Sequence, residues 1–135
     1  MLVNKTTLAL LAICIPLLGC QTTKDAPNLA KLGVEFSWEG TSACGSKPPA
    51  FNVTNIPDGT AELKFWMTDL NMISYNHGGG SVKYTGSGSI PAGSFSYTGP
   101  CPPSPHEYSF DVTAINAKGD LVLGRGSATR TFPPK

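Results

Sequence analysis

The sequence predicts an all-β domain, mainly antiparallel and β-sandwich-like, with few or no helices beyond an N-terminal signal segment. Three observations predict this class. Short stretches alternate between apolar and polar residues, and the longest of them runs from Glu107 to Ala114. Turn-forming triplets such as Pro57-Asp58-Gly59 separate these stretches, and Gly and Pro supply 27 of the 135 residues. No window repeats its apolar residues every 3.6 positions over the length of a helix.

Each predicted strand has its own period-two pattern. In the first, Val34, Phe36 and Trp38 share one face, and in the second Leu63, Phe65 and Met67 do the same. The predicted strands centre, in chain order, on residues 34–38, 63–67, 82–84, 95–97, 107–114, 121–123 and 128–132.

Composition and charge exclude several classes of protein. Only 14% of the residues are charged, which is too few for a disordered tail or a coiled coil. The net charge is +1, so the chain lacks the basic surface that a nucleic-acid backbone requires.

The N-terminus has the pattern of an export signal. Lys5 precedes an apolar run over residues 8–18, and this run is shorter than the about 20 residues of a transmembrane helix. It ends in LLGC at residues 17–20, which resembles the lipobox of bacterial lipoproteins and implies cleavage before Cys20 and acylation of its thiol. An ordinary secretory signal cleaved nearby is the alternative.

The predicted organisation follows from that signal. Residues 1–19 form a signal peptide, residues 20–32 comprise the lipidated Cys20 and a flexible tether, and residues 33–135 form one β domain. The expected location is the cell envelope, and Gln21 after the anchor favours an outer membrane with the domain facing the periplasm.

Two cysteines remain for the exported domain. Cys14 leaves with the signal and Cys20 carries the lipid, so Cys44 and Cys101 are expected to form a disulfide, with two buried free thiols as the alternative. Closing a loop of this length would stabilise the fold by about 4 kcal/mol in the chain-entropy model.

Separated motifs resemble the phosphatidylethanolamine-binding protein family, in its bacterial Raf-kinase-inhibitor-like branch. They are CGSKPP at 44–49, PDGT at 57–60, GPCPP at 99–103 and HEY at 106–108, together with Asp69 and the pair Tyr75 and His77. The chain departs from the family pattern at Asn71, where a second carboxylate is replaced by an amide, and at Glu107, which stands in place of an Arg. It is also short for the family, which implies a trimmed and divergent member.

The resemblance implies a small surface pocket for phosphate-like anions. The matching positions are Asp69, Tyr75, His77, Pro102, His106 and Tyr108. Two imidazoles would donate N–H groups to an anion, more strongly when protonated, and Asp69 would orient one of them. The glycines at 78–80 would add backbone amides. Taken singly, His77 could be an exposed loop residue, Tyr108 a core residue and Asp69 a turn residue.

The predicted function is therefore non-catalytic: a monomeric, lipid-anchored envelope protein that binds a phospholipid headgroup or similar anion without a cofactor. An interaction or inhibitor-like protein with a vestigial pocket is the main alternative, and its partner is unspecified. A metal site at Asp69, His77 and His106 is a remote one, since two His and one carboxylate can form a facial triad. A hydrolase is disfavoured, because no Gly-x-Ser-x-Gly motif is present and the disulfide would leave no free thiol nucleophile.

Overall fold

The computed structural model describes residues 22–135, which form eight strands. They are β1 (Lys24–Lys31), β2 (Gly33–Phe36), β3 (Phe51–Thr54), β4 (Thr60–Asp69), β5 (Gly79–Lys83), β6 (Ser89–Ile90), β7 (His106–Asn116) and β8 (Leu121–Phe132). This part of the chain contains no helix, which confirms the predicted all-β class. Within residues 22–135 there is accordingly no helix with the length and hydropathy of a membrane span. The predicted signal peptide and the acylated Cys20 lie outside the described residues.

The strands are arranged in two sheets. The five-stranded sheet has the order β1-β8-β7-β4-β5, and the three-stranded sheet has the order β2-β3-β6. Every neighbouring pair is antiparallel except β1 and β8, which are parallel. Buried side chains of both sheets belong to one core cluster, so the sheets pack face to face as a sandwich.

The core is built from the alternating positions that the sequence shows. Phe65 on β4 and Phe110 on β7 point inward and are almost fully buried. Phe51 of the smaller sheet lies between them, with ring centroids 4.8 Å from each. Aromatic contacts of this kind join the two sheets and hold the long strands β4 and β7 in place.

Residues 24–31 form β1 and not the flexible tether that the sequence predicted. The prediction was wrong because the segment KDAPNLAK contains Pro27 and no apolar alternation. As an edge strand, β1 needs to pair only with β8, and its register shifts between Asp25 and Ala30, where the proline lies. A proline is tolerated in such an edge strand because the missing amide hydrogen faces no partner.

Two other strand predictions differ from the structure. Residues 95–97 form no strand, although Phe95 still stacks on Phe65 with ring centroids 5.0 Å apart. The patterns at 121–123 and 128–132 are the two ends of the single strand β8. The glycines between them mark close packing and not a turn, since a Cβ atom on Gly126 would overlap Leu32.

A comparable close approach occurs where β5 begins. Gly79 pairs with Trp66, and a Cβ atom on Gly79 would overlap the backbone of Phe65. We expect Gly79→Ala to lower the free energy of unfolding by about 2 kcal/mol, because the two strands would have to separate. Urea denaturation at pH 7 measures this, with Ser81→Ala on the same strand as a control expected to change it by less than about 0.5 kcal/mol. Equal effects of the two variants would contradict the steric explanation.

Candidate functional site

The strand pattern brings an acid, a phenol and an imidazole to one end of the larger sheet. On β4 the inward positions continue past Met67 to Asp69, which is the last residue of the strand. On β7 the inward positions lead back from Phe110 to Tyr108 and then to His106, where the strand begins. Asp69 and Tyr108 are paired in register, so all three functional side chains lie on the inner face at the same sheet end.

His77 reaches this place from the loop between β4 and β5. The carbonyl of the next residue, Gly78, accepts a hydrogen bond from the amide of Met67 at 2.9 Å. The carbonyl of His77 itself accepts from the amide of Thr98 at 2.8 Å. These two hydrogen bonds fix the backbone at His77 and Gly78. The side chain of His77 is only 4% exposed.

All six residues predicted for the site line one cavity of about 220 Å³. The lining consists of Asp69, Met72, Tyr75, His77, Cys101, Pro102, Pro103, His106 and Tyr108. The structure therefore brings the six residues together around one cavity. Met72, Cys101 and Pro103 were not predicted as lining residues; Cys101 and Pro103 belong to the quoted GPCPP motif, whereas Met72 lies three residues from both Asp69 and Tyr75.

Hydrogen bonds determine the tautomer of each ring. The Nδ1 atom of His77 lies 2.7 Å from the carbonyl oxygen of Thr98, and a carbonyl can only accept, so Nδ1 carries the hydrogen. The Nδ1 atom of His106 lies 2.7 Å from Oδ2 of Asp69 and donates to that carboxylate. Each neutral ring therefore has an unprotonated Nε2 as its remaining polar atom.

Asp69 is held as an anion by its neighbours. Its Oδ1 accepts the amides of Asn71 at 2.8 Å and Met72 at 3.0 Å, while Oδ2 accepts from His106. Burial by itself raises the pKa of Asp69, but the hydrogen bond from His106 and the two amides outweigh it, so the pKa is lowered from 3.8. The carboxylate is thus ionised at neutral and mildly acidic pH.

The phenols around the cavity are neutral donors. Burial raises the pKa of Tyr108, and the negative charge of Asp69 raises it further. Burial likewise raises the pKa of Tyr97, a core residue outside the cavity lining, to about 12. Tyr75 covers one imidazole from the solvent side, with its ring centroid 4.6 Å from that of His77.

The net charge of the site depends on the protonation of its two imidazoles. With both rings neutral, Asp69 leaves a charge of −1, which repels an anion. The Nε2 of His77 lies 3.9 Å from Oδ2 of Asp69, and the Nδ1 of His106 lies 2.7 Å from the same oxygen, so both rings face the carboxylate. With both rings protonated the charge would be +1, and each ring would have an Nε2–H to donate. Protonation of both rings would therefore convert a site that repels anions into one that attracts them.

This geometry corrects two expectations drawn from the sequence. Both rings were expected to donate to an anion even when neutral, but each Nδ1–H is already used, and only protonation supplies another donor. The glycines were expected to add backbone amides, but none of Gly78, Gly79 and Gly80 lines the cavity, and the amide of Gly78 donates to the side chain of Asn76 at 2.9 Å. The imidazoles are therefore the main donors toward the cavity.

The predicted disulfide is confirmed, and it supports the cavity wall. Cys44 and Cys101 are bonded. Beside the bond, the amide of Cys44 donates to the carbonyl of Pro100 at 2.8 Å, and the amide of Gly99 donates to the carbonyl of Gly45 at 2.8 Å. The disulfide and these two hydrogen bonds hold residues 98–105, the proline loop, which contains Pro102.

In the described part of the chain, no group of three or more His, Cys, Asp or Glu residues is arranged to hold a metal ion. Oδ2 of Asp69 is instead occupied as the acceptor of His106.

No protein-family model matches the chain, and no curated protein is similar to it in sequence. The resemblance to the phosphatidylethanolamine-binding protein family rests on the quoted motifs alone.

Proposed function

We propose that the protein is a non-catalytic binding protein whose cavity takes a phosphoryl headgroup or a similar anion, and that binding requires protonated histidines. The single observation that supports this most is the convergence of His77 and His106 on Asp69, with both Nδ1 atoms used by the protein. Two imidazolium groups beside one carboxylate exceed its charge by one, which leaves a net positive charge for an anion.

The loop after β4, residues 70–76, contributes Met72 and Tyr75 to the cavity lining, and we call it the rim. Its side chains favour an anion that is attached to an apolar body. Four of the six large hydrophobic side chains that are exposed among residues 22–135 lie in the loop after β4. They are Leu70, Met72, Ile73 and Tyr75, with Ile73 the most exposed at 78%. Neither residues 70–76 nor the facing loop 98–105 contains an Asp, Glu, Lys or Arg. A lipid headgroup with its first carbons on this rim suits both features better than free phosphate does.

The rim is held in place before any ligand binds. The side chain of Asp69 fixes the amides of Asn71 and Met72, and the amide of Tyr75 donates to the carbonyl of Met72 at 2.9 Å. The side-chain oxygen of Asn71 accepts the amide of Glu107 at 2.7 Å. Because these hydrogen bonds already fix the loop, its exposed apolar side chains can bind a ligand with little loss of conformational entropy.

The location that we propose is the cell envelope, with the chain anchored by an acylated Cys20. The strand β1 begins at Lys24 beside Leu121, whereas the cavity lies at the other end of β8, beside Phe132. Eleven strand steps of about 3.3 Å separate these ends by roughly 36 Å. An anchored domain standing on its N-terminal end would therefore hold the cavity away from its own bilayer and toward ligands in the surrounding compartment.

Titration of the full chain with glycerophosphoethanolamine tests the proposal. Its phosphodiester keeps a negative charge and its ammonium group a positive charge from pH 5.5 to pH 8, so any pH dependence comes from the protein. Because the site charge rises from −1 to +1, we expect at least tenfold tighter binding at pH 5.5, measured by calorimetry. Variants His77→Gln and His106→Gln should each lose this gain, whereas Lys118→Gln removes a positive charge in the remote turn between β7 and β8 and should keep it. Affinity that does not change with pH would refute the proposal.

A second titration separates a lipid headgroup from a free anion. Dihexanoylphosphatidylethanolamine carries the same headgroup with two short tails and can be used as dissolved monomers. We expect it to bind at least fivefold more tightly than glycerophosphoethanolamine, and Ile73→Ser to reduce this ratio without changing the affinity for the headgroup alone. Equal binding of the two compounds would instead indicate a site for small anions.

A further inference from the structure

The cavity has a second chemistry when its two histidines are neutral. In that state each ring carries its hydrogen on Nδ1, because Nδ1 of His77 donates to the carbonyl of Thr98 and Nδ1 of His106 donates to Asp69. Both Nε2 atoms then have a lone pair and no hydrogen. The remaining polar atoms of the acid and the two rings are therefore hydrogen-bond acceptors, and a ligand that binds them has to donate.

Two of these acceptors lie close together in the buried part of the cavity. Nε2 of His77 is 3.9 Å from Oδ2 of Asp69, and the two side chains are only 4% and 5% exposed. Neither atom carries a hydrogen in this state, so they cannot bond to each other, but one nitrogen that donates to both can lie about 2.9 Å from each. Oδ2 already accepts from His106, and a carboxylate oxygen can accept a second hydrogen bond.

The lining of the cavity is negatively charged in this state. Among the nine residues that line the cavity, Asp69 is the only one that is charged while the histidines are neutral. The pKa of Asp69 is lowered from 3.8, so this charge is present at neutral pH. Neither the rim nor the proline loop contains a Lys or Arg that could balance it.

The charged residues on the adjoining strands do not neutralise the carboxylate. On β8, Arg130 is paired with Tyr108, but its guanidinium lies over the ring of Phe36, 5.8 Å from the ring centroid, and Arg130 does not line the cavity. Glu107, next to His106, is exposed and adds a negative charge outside the lining. The state with neutral rings therefore favours a cation.

The size and polarity of the lining favour a cation that is charged at one end only. The cavity volume of about 220 Å³ is about seven times that of a water molecule in the liquid, so it holds an ammonium group and the first methylene groups of a chain. Tyr75 contributes an aromatic ring, 4.6 Å from the ring of His77, and such rings attract cations. The exposed side chains of Leu70, Met72 and Ile73 offer apolar surface to the rest of the chain, and the rim has no carboxylate for a second charge.

We propose that, while both histidines are neutral, the cavity binds the ammonium group of a primary alkylamine. Two of its N–H groups donate to Oδ2 of Asp69 and Nε2 of His77, and its alkyl chain lies on the rim. A quaternary ammonium has the same charge but no hydrogen to donate, and among residues 22–135 no group of three or more His, Cys, Asp or Glu is arranged for a metal ion. This proposal concerns the protonation state opposite to that of the headgroup proposal and does not rest on anion binding.

Three compounds with the same six-carbon tail test the proposal on the full chain. Calorimetry is carried out at pH 8, where histidine side chains in general are mostly neutral and a primary alkylamine is still protonated. Hexylammonium has the charge and three donors, hexyltrimethylammonium has the charge and no donor, and 1-hexanol has no charge. We expect hexylammonium to bind at least tenfold more tightly than either of the other two. A diamine, 1,6-diaminohexane, would place its second charge on the apolar rim and should bind at least threefold more weakly than hexylammonium.

Matched variants show whether Asp69 supplies the attraction. Asp69→Asn keeps an oxygen for the amides of Asn71 and Met72 and removes the charge, so it should weaken hexylammonium binding at least tenfold. Asp120→Asn removes an exposed charge in the turn between β7 and β8, at the opposite end of the sheet, and should leave binding unchanged. In ¹⁵N spectra of the parent chain, hexylammonium should shift the Nε2 resonance of His77, and this readout does not depend on the stability of any variant.

Equal binding of hexylammonium and either hexyltrimethylammonium or 1,6-diaminohexane would overturn the proposal, because the hydrogen bonds or the apolar rim would then not select the ligand. An unmoved Nε2 resonance of His77, or equal affinity of Asp69→Asn and the parent chain, would overturn it as well. So would Zn²⁺ that displaces hexylammonium and shifts the Nε2 resonances of both histidines, since the cavity would then be a metal site. Failure of glycerophosphoethanolamine to bind at pH 5.5 would contradict the headgroup proposal alone.

Discussion

Replacing Asp69 by Ala is expected to lower the free energy of unfolding by about 3 kcal/mol at pH 7. The side chain is 3% exposed and accepts hydrogen bonds from His106, Asn71 and Met72, so its removal leaves three donors without their acceptor. The loss lies at the lower end of the range for a broken buried pair, because the side chain of His106 is partly exposed, at 14%. Urea denaturation measures the change.

The destabilisation caused by Asp69→Ala is also expected to depend on pH. The pKa of Asp69 in the folded protein is lowered from 3.8, so its carboxylate stabilises the fold fully above that value. The contribution is lost as the pH falls through the still lower folded pKa. The stability difference between the parent chain and the variant should therefore shrink below about pH 4.

Asp69→Asn is the matched control for this prediction. It keeps an oxygen for the two loop amides but removes the charge that His106 faces, so about half of the destabilisation should remain. If Asp69→Ala cost less than about 1 kcal/mol, or if the loss were the same at pH 3 as at pH 7, the carboxylate would not be the anchor of the site.

Removal of the disulfide is expected to cost about 4 kcal/mol. Cys44 and Cys101 are 57 residues apart, and the bond between them restricts the unfolded chain over that length. The double variant Cys44→Ser with Cys101→Ser should lose this stability in urea, and the parent chain treated with a reductant should match it. The proline loop with Pro102 should also become more mobile, as amide hydrogen exchange near Cys101 would show.

A smaller loss would contradict the chain-entropy account. If the double variant unfolded within about 1 kcal/mol of the parent, residual structure in the unfolded state would already close the loop. If only the reduced parent chain were destabilised, the serine substitutions would be adding interactions of their own.

Patterns in the sequence predicted the strands that are buried on one face. The alternation of Leu63, Phe65 and Met67 and of Phe110 and Val112 identified β4 and β7, because burial of one sheet face imposes a period of two. The edge strand β1 has no such pattern, because its segment, including Pro27, is mostly exposed and pairs with β8 through the backbone. Backbone hydrogen bonds can be made by almost any residue, so a strand held mainly by them is hard to predict from the sequence.

The candidate site was predictable in its residues but not in its chemistry. Asp69, His77 and His106 were identified from motifs, and the structure brings them together. Their proton states depend on the carbonyl of Thr98, which fixes the tautomer of His77, and any residue at position 98 would supply that carbonyl. The apolar rim was visible in the composition of residues 70–75, but its role depends on exposure, which only the fold determines.

The most direct test is a long-range ¹H–¹⁵N spectrum of the two imidazoles in the full chain. At pH 8 we expect His77 and His106 both to carry their proton on Nδ1, with Nε2 unprotonated. At pH 5.5 we expect glycerophosphoethanolamine to bind with a proton on both Nε2 atoms and to shift both Nε2 resonances. A neutral ring protonated on Nε2, or Nε2 resonances that the ligand leaves unmoved at pH 5.5, would contradict the proposed site.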